Sequence, residues 1–398
     1  MKKNIRNIIL ILLALLLFAG ISFGLKYAYI GSSYASKMAC SCHFISGREL
    51  ADIKKNDLYA VPFVDVNIDE ADHTVSSSIY GLAKTTAVFR EGFGCSLLND
   101  VSEDSLKNQP SPIKRNPTTH IFPVVSVSSV FDSLKLDAVM EPVFNDDSGR
   151  TLQTRAVIIL KDGNLVYEKY GAGYNNKSSL IGWSMTKSIT NAMVGILVKD
   201  GKLSLDKKNL LEEWQGDDRR NIALTDMLHM SSGLEFEEDY ASPSDATNML
   251  FRSYAAGAYA IKSKLKNKPG EVFYYSSGTS NILQEIIKRQ FASIKDYQRF
   301  PYERLFDKIG MSSAILETDP SGTFIGSSFM YATALDWARF GQLYLQDGLW
   351  NGERILPEGW AKYSGTETPN SNGRYAAHFW VDHNDKEFPA DAYLADGF

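Results

Sequence analysis

A serine and a lysine three residues apart open a helical stretch and could together perform nucleophilic catalysis. Ser184 is followed by Lys187, and apolar residues recur at positions 185, 189, 192, 193, 196 and 197. This spacing is typical of one helix face packed into a core. Because positions i and i+3 share a face, the Lys187 amine can reach the Ser184 hydroxyl. The helix dipole and an apolar environment disfavour the charge of this lysine, and a neutral lysine can take the serine proton.

The tetrapeptide spacing alone is a weak signal, because Ser-x-x-Lys occurs four times in the chain. The other three pairs lie in a proline-rich stretch, a short polar loop and a charged run: Ser111/Lys114, Ser204/Lys207 and Ser263/Lys266. Only Ser184 opens an apolar helix. A serine at a helix start often serves only as an N-cap, so the catalytic interpretation needs support from other residues.

A second candidate group lies where the chain passes from a turn into another helix. Pro269 and Gly270 mark the turn, and Tyr275 follows in a short extended stretch before a helix that starts near residue 280. A phenol beside Lys187 could carry a proton between Ser184 and a substrate. Tyrosines at such junctions also serve simply as packing groups, and the residues alone leave both roles open.

Together, the two motifs resemble those of the penicillin-recognising serine hydrolases. Ser184-Met185-Thr186-Lys187 and Tyr275-Ser276-Ser277 look like motifs of the class C β-lactamase-related branch, which includes esterases and 6-aminohexanoate-dimer hydrolases. Segments at 228–234, 337–341 and 355–360 are also similar to that family, and residues 40–48 and 90–95 look like the N-terminal extension of an exported subgroup. The resemblance therefore covers most of the chain.

The resemblance implies a role for each motif residue. Ser184 would be the acylated nucleophile, Lys187 its base partner, and Tyr275 the acid/base for the leaving group and the deacylating water. The Ser184 amide would supply half of an oxyanion hole, and Ser277 would bind substrate where many relatives carry asparagine. The implied activity is hydrolysis of an ester or amide. A D-alanyl peptidase, a true β-lactamase and a non-catalytic binding or envelope protein of the same fold remain alternatives.

The order of predicted elements indicates an α+β fold. Strand patterns lie at 155–168, where Asp162-Gly163 predicts a hairpin turn, and near 376–381 and 392–394. Helical patterns lie between them, at 185–197, 224–230, 244–265, 280–290 and 331–346. This order favours one antiparallel sheet with a helical subdomain, which is the β-lactamase/transpeptidase-like fold that the resemblance implies. The family's further strand, which gives the second oxyanion amide, has no visible equivalent, so we interpret the chain as lacking its C-terminal strands.

The N-terminus predicts a membrane segment. Three basic residues precede an apolar run from Ile8 to Leu25, and eighteen helical residues span about 27 Å, close to the thickness of the hydrocarbon core of a bilayer. We favour an uncleaved signal anchor, while Ser22-Phe23-Gly24 keeps a cleaved signal peptide open. Either segment would export the rest of the chain, to the periplasmic side in a Gram-negative cell.

The chain then divides into two further parts. Strand patterns at 61–68, 74–80 and 85–89 predict a small antiparallel β unit, and the proline-containing stretch at 102–120 predicts a linker. We therefore predict a signal segment at 1–25, an N-terminal extension at 26–133 and the hydrolase domain at 134–398.

Three cysteines, Cys40, Cys42 and Cys95, make a disulfide possible in an exported protein. Cys40 and Cys42 are too close to pair comfortably with each other, so we expect a bond from one of them to Cys95. Three free thiols and lipidation of Cys40 remain alternatives.

Composition and motifs argue against several other functions. The 398 residues carry a net charge of −5 with 44% hydrophobic content, and no basic patch with interleaved aromatics indicates a nucleic-acid partner. The six histidines are scattered, and His378 and His383 beside Asp382 match no zinc motif. No phosphate-binding loop or dinucleotide fingerprint is present, so we predict neither metal nor cofactor. Adjacent carboxylates are predicted to lie on solvated faces: Glu212/Glu213 and Glu237/Glu238.

Overall fold

A computed structural model describes residues 2–124, 132–145, 152–382, 384 and 388–397, and it begins with one long helix. This helix, α1 (Lys2–Phe44), exposes large apolar side chains between residues 9 and 25 and buries most of residues 32–42. The predicted membrane segment is therefore the first half of a longer helix. Its second half, rich in Ser and Ala, packs into the protein body.

Four strands pack against the second half of α1. Helix α2 (Leu50–Asn56) precedes an antiparallel sheet in the order of its strands: β1 (Asp65–Asp69), β2 (Thr74–Ile79), β3 (Leu82–Arg90) and β4 (Gly94–Leu97). The predicted small β unit is present, with a fourth strand that the pattern missed. A disulfide between Cys40 and Cys95 joins α1 to β4, and Cys42 is buried as a free thiol.

The next part of the chain leads to the hairpin that the sequence predicts. Its elements are α3 (Glu103–Lys107), α4 (Ser133–Phe144), β5 (Ala156–Lys161), β6 (Asn164–Tyr170) and β7 (Ser179–Ile181). Strands β5 and β6 pair antiparallel across a turn with positive φ at Asp162 and Gly163, which confirms the hairpin. The stretch predicted as a linker lies on the protein body, since the Arg115 guanidinium contacts the Asp307 carboxylate at 2.8 Å.

The helical region follows β7. Its helices are α5 (Met185–Lys199), α6 (Leu224–Leu228), α7 (Asp245–Arg252), α8 (Ala256–Ala260), α9 (Ser277–Lys288) and α10 (Ile294–Pro301). The prediction of one helix over 244–265 is wrong. The chain is extended at Ser253 and Ala255 and helical again from Ala256, whose amide donates to the Asp319 carboxylate at 2.9 Å.

The last elements complete a small sheet beside α5. They are β8 (Ile315–Leu316), β9 (Met330–Thr333), α11 (Ala334–Leu345), β10 (Leu349–Trp350), β11 (Glu353–Arg354) and α12 (Trp360–Ser364). The sheet order is β7-β9-β8. Pairing within the sheets is antiparallel, as predicted, but the described strands form four separate sheets rather than one. The predicted C-terminal strands make only isolated bridges, of Trp380 with Tyr375 and with Leu394.

One hydrophobic core unites the N-terminal extension with the rest of the body. Ala35 and Met38 of α1 belong to the same buried cluster as Ile189 and Ile196 of α5. Burial of this apolar surface stabilises the fold by about 25 cal/mol per Å². The extension and the candidate site are thus held in one packed unit.

Candidate active site

A sharp turn between β7 and α5 places Ser184 at the start of the helix. Trp183 has φ +43°, a left-handed conformation that costs a bulky residue on the order of 1–3 kcal/mol. A side chain at Gly182 would overlap the Trp337 ring, so only glycine fits there. The Ser184 side chain makes no cap hydrogen bond to α5. The simple N-capping role that competes with catalysis is therefore not seen.

Lys187 points back at Ser184, as the i, i+3 spacing predicts. Its Nζ lies 2.9 Å from Ser184 Oγ, 2.9 Å from the Ser327 carbonyl oxygen and 3.1 Å from Ser277 Oγ. Lys187 is 1% exposed, whereas Ser184 is only half-buried. A buried amine is thus fixed by neutral oxygens beside a hydroxyl that solvent and substrate can approach.

Tyr275 covers the same amine from another side. Its ring centroid lies 4.8 Å from Lys187 Nζ. The ring also packs against Tyr375 and Trp380, with centroid distances of 5.6 and 5.2 Å. The structure therefore brings Ser184, Lys187 and Tyr275 into one cluster although they come from two distant parts of the chain.

Ser277 connects this cluster to a carboxylate that sequence reasoning missed. The backbone N–H of Ser277 donates to Glu238 Oε2 at 2.8 Å, and its hydroxyl donates to Glu238 Oε1 at 2.5 Å. The prediction that Glu238 lies on a solvated face is wrong, because its carboxylate binds the N-terminal end of α9, where helix amides lack intrahelical partners. Glu238 lies 39 residues from Ser277, and no local pattern marks the pairing.

Tyr240 adds a second group to this carboxylate. Its hydroxyl lies 2.7 Å from Glu238 Oε1 and 2.9 Å from Ser277 Oγ. Although the Tyr240 side chain is 53% exposed, loss of solvation at its hydroxyl end and the neighbouring Glu238 charge raise the pKa of Tyr240, so the hydroxyl stays protonated and able to donate. Ser277, predicted to bind substrate, is fully buried and already bonded to three protein groups.

His378 lies beneath the site as a neutral bridge between helices. Its Nδ1 bonds the Leu228 carbonyl at 2.7 Å, its Nε2 bonds Ser280 Oγ at 2.9 Å, and its carbonyl accepts from Ser188 Oγ. Burial lowers the pKa of His378 to about 3.

His383 lies outside the described residues. Within the ranges that the structure describes, no group of His, Cys, Asp and Glu could hold a metal ion.

The last described residues border the nucleophile. Leu394 and Trp380 exchange backbone hydrogen bonds of 2.7 and 2.9 Å. Three residues on, a side-chain carbon at Gly397 would lie 3.0 Å from the Ser184 nitrogen and would overlap the Gly182 carbonyl oxygen. The segment from Leu394 to Gly397 therefore lies directly beside the Ser184 amide.

A family model that matches more than half of the chain identifies the class of the protein. Residues 146–397 match the family model described as Beta-lactamase, and the chain belongs to that family. Over 263 residues it is 23% identical to a 6-aminohexanoate-dimer hydrolase from Paenarthrobacter ureafaciens. The match covers 63% of this chain and 64% of the length of that relative.

Two solved structures share the fold. A Bacillus anthracis protein provisionally assigned as a 6-aminohexanoate-dimer hydrolase has 22% identity and a TM-score of 0.56, covering 72% of this chain and 79% of its own. A Bacteroides dorei protein provisionally assigned as a β-lactamase has 17% identity and a TM-score of 0.50, covering 64% and 81%. The predicted β-lactamase/transpeptidase-like fold is thereby confirmed.

Proposed function

We propose that the protein is a serine hydrolase that cleaves an ester or an amide through an acyl-enzyme on Ser184. One observation carries the proposal, namely the 2.9 Å contact between Lys187 Nζ and Ser184 Oγ. Among the described residues, the hydrogen-bond acceptors of this amine are neutral oxygens. Family membership and the relative named 6-aminohexanoate-dimer hydrolase support the same reaction class.

In acylation, the Lys187 amine acts as the base and takes the Ser184 proton while Oγ bonds to the carbonyl carbon of the substrate. The carbonyl oxygen becomes an oxyanion, and the Ser184 amide donates to it. The bond to the leaving alcohol or amine then breaks, and the leaving group takes a proton from the Tyr275 hydroxyl. Lys187 returns its proton to Tyr275, so both groups regain their starting states.

Deacylation reverses the roles. A water molecule attacks the acyl carbon, and its proton passes to Tyr275 while the Tyr275 proton moves to the Lys187 amine. The ester bond to Ser184 breaks, and Oγ recovers its proton from Lys187 as the carboxylic acid leaves. We assign Ser277 a positioning role, since its buried hydroxyl accepts from Lys187 and donates to Glu238.

We also propose that α1 anchors the protein on the outer side of a membrane. Within α1, residues Ile9–Phe44 form a helix that is long and apolar enough to cross a bilayer by length and composition. The basic residues before it favour a cytoplasmic N-terminus, and the Cys40–Cys95 disulfide fits an oxidising compartment. A cleaved signal sequence has the same composition, and N-terminal sequencing of the mature protein separates the two forms.

Substitution of the nucleophile tests the proposed reaction. Ser184→Ala should abolish hydrolysis of an activated ester such as p-nitrophenyl acetate. Ser204→Ala is the matched control, because Ser204 begins an exposed Ser-x-x-Lys sequence and should leave the rate unchanged. Full turnover by a folded Ser184→Ala protein would refute the assignment. With a penicillin, a stable adduct would indicate a D-alanyl peptidase, and rapid turnover would indicate a β-lactamase.

A further inference from the structure

The point where α1 leaves the protein body is surrounded by exposed apolar side chains. The α1 side chains that the structure describes before Tyr27 are exposed, and burial begins within the next turn. Five large side chains near this point are 39–82% exposed, and we call them the collar: Tyr27, Tyr59, Phe63, Tyr80 and Leu82. A group of this size on a surface marks an interaction site, whereas single exposed apolar residues do not.

Contacts with α1 place the collar residues at one level of the helix. A side-chain carbon at Gly31 would lie 3.6 Å from both Ile79 and Val61. Tyr80 and Leu82 form the tip of the β2–β3 hairpin directly after Ile79. Tyr59 and Phe63 flank Val61, in a segment whose ends are fixed by buried residues: Leu58 and Val64.

The direction of β2 shows that the hairpin tip points toward the exposed half of α1. His73, before the strand, packs on Phe44, and Ser77 Oγ donates to the Ser32 carbonyl at 2.5 Å. The strand therefore runs opposite to the helix. Ile79 lies beside Gly31, and a strand advances about 3.3 Å per residue against about 1.5 Å for a helix, so Tyr80 lies near the level of about residue 29. That level is about one helical turn beyond the end of the apolar run.

We propose that the collar lies in the headgroup region of the bilayer, so that the hydrolase body rests directly on the membrane surface. This inference depends on the proposed anchoring role of α1. The collar is continuous with the exposed apolar half of α1, and tyrosine side chains, which make up three of its five members, are typical of the membrane–water interface. The exposed Lys26 and Lys84 lie beside it and suit contact with lipid phosphates.

The continuity of α1 attaches the protein body rigidly to the apolar half of the helix, rather than through a flexible linker. The helix runs without interruption from Lys2 to Phe44 and contains no proline. Its buried half is joined to the body by the disulfide at Cys40. Tilting the body away from the bilayer would therefore require bending the helix or exposing the collar to water.

Depth measurements on the full-length protein test this orientation. Tyr80→Cys would be labelled with an environment-sensitive fluorophore in phosphatidylethanolamine/phosphatidylglycerol vesicles, and Leu345→Cys, an exposed residue of α11, is the matched control. The native cysteines are disulfide-bonded or buried. We expect a blue-shifted emission and loss of iodide quenching at position 80, with efficient quenching by a headgroup-attached nitroxide. At position 345 we expect the opposite behaviour.

A second variant shows whether the collar itself causes this behaviour. Tyr59→Ser, Phe63→Ser and Leu82→Ser introduced together should restore iodide quenching at position 80 while the chain stays in the vesicles. Equal iodide quenching at positions 80 and 345 in a chain that floats with the vesicles would overturn the collar proposal alone. A full-length chain that fails to float would overturn the anchoring proposal as well. Neither result bears on hydrolysis at Ser184, which the ester assay reports separately.

Discussion

Two buried lysines in the described part of the chain each bond a nearby serine, and one of them also pairs with a buried carboxylate. In α5, Lys187 Nζ lies 2.9 Å from Ser184 Oγ. In α1, Lys37 Nζ lies 2.9 Å from Ser41 Oγ. Both lysines are at most 2% exposed. Distance and burial therefore do not separate the candidate catalytic pair from the other one.

The neighbour that differs is Glu317. Its carboxylate is fully buried, pairs with Lys37 Nζ at 2.5 Å, and also accepts from Ser41 Oγ and the Cys95 amide. Burial lowers the pKa of Lys37, and the paired Glu317 carboxylate opposes that shift by stabilising the charged amine. Lys187 bonds neutral oxygens instead, and the nearest carboxylate in this network reaches it only through Ser277. The buried counter-ion makes the Lys37–Ser41 pair part of an ion-pair network, whereas the acceptors of Lys187 are neutral oxygens, which fits the proton transfer proposed for it.

Removing the amine of the candidate catalytic pair should have the largest effect. Lys187→Met should lower kcat/KM by about a thousandfold, because general base catalysis typically contributes about 10²–10⁴-fold. Ester hydrolysis rates measure the change, and circular dichroism checks the fold. The control is Lys207→Met, the lysine of the exposed Ser-x-x-Lys sequence. A folded Lys187→Met protein with the wild-type rate would remove the distinction between the two lysines.

Removing the amine of the structural pair should change stability instead. Lys37→Met leaves the Glu317 carboxylate buried without its counter-ion, which should lower the free energy of unfolding by about 3–5 kcal/mol. Urea denaturation in detergent micelles measures the loss. Lys37→Met combined with Glu317→Leu should recover much of it, because the buried charge is then absent. If both variants were equally unstable, the ion pair would not be the cause.

A smaller effect is expected at the carboxylate behind the catalytic pair. Glu238→Gln weakens the charged hydrogen bonds to Ser277, which should lower kcat/KM about tenfold by loosening the position of Lys187. The pH profile of the rate should shift as well, since the carboxylate is part of the electrostatic environment of the amine. Glu237→Gln is the matched control, because Glu237 is exposed. Equal rates for both variants would show that Glu238 does not position the site.

The smallest expected effect is a pH dependence of the free energy of unfolding. It comes from buried titratable groups, among them the histidine at the base of the site. Burial lowers the pKa of His378 to about 3 and that of His229 to about 4. Below about pH 6.5, the usual histidine pKa, the unfolded chain binds protons that the folded chain excludes, so stability falls as pH decreases. Asp319 acts in the opposite direction, because burial raises its pKa to about 6 and the folded state retains its proton between about pH 4 and 6.

The contribution of His378 to the pH dependence of the free energy of unfolding can be separated from that of Asp319. Unfolding free energies measured between pH 6.5 and 5 should show a shallower slope in His378→Gln than in the wild type. The difference should approach at most about 1.4 kcal/mol per pH unit, the contribution of one proton. An unchanged slope would mean that His378 titrates alike in the folded and unfolded chains.

The sequence predicts those parts of the site that depend on local geometry. The apolar periodicity after Ser184 predicts α5, and the i, i+3 spacing predicts the reach of Lys187, because both follow from helix geometry. The turn residues at Asp162 and Gly163 predict the hairpin for the same reason. The cluster with Tyr275 is not local, and only the family resemblance indicates it.

The features that the sequence did not predict depend on tertiary contacts. Lys37 and Glu317 are separated by 280 residues, and no local pattern links them. The second half of α1 buries small residues such as Ala35 and Ala39, which give no strong apolar period, so the helix continues beyond the predicted membrane segment. Glu238 has the sequence context of a solvated acid, and only the approach of α9 makes it part of the site.

Covalent labelling tests directly whether Lys187 activates Ser184 as a nucleophile. The full-length protein and its Lys187→Met variant would be exposed to a fluorophosphonate, and the adduct would be located by intact mass and peptide mapping. If the neutral environment of Lys187 activates Ser184, the wild type carries a single adduct on Ser184 and the folded variant carries none. An adduct on another serine, or none on the folded wild type, would contradict the account.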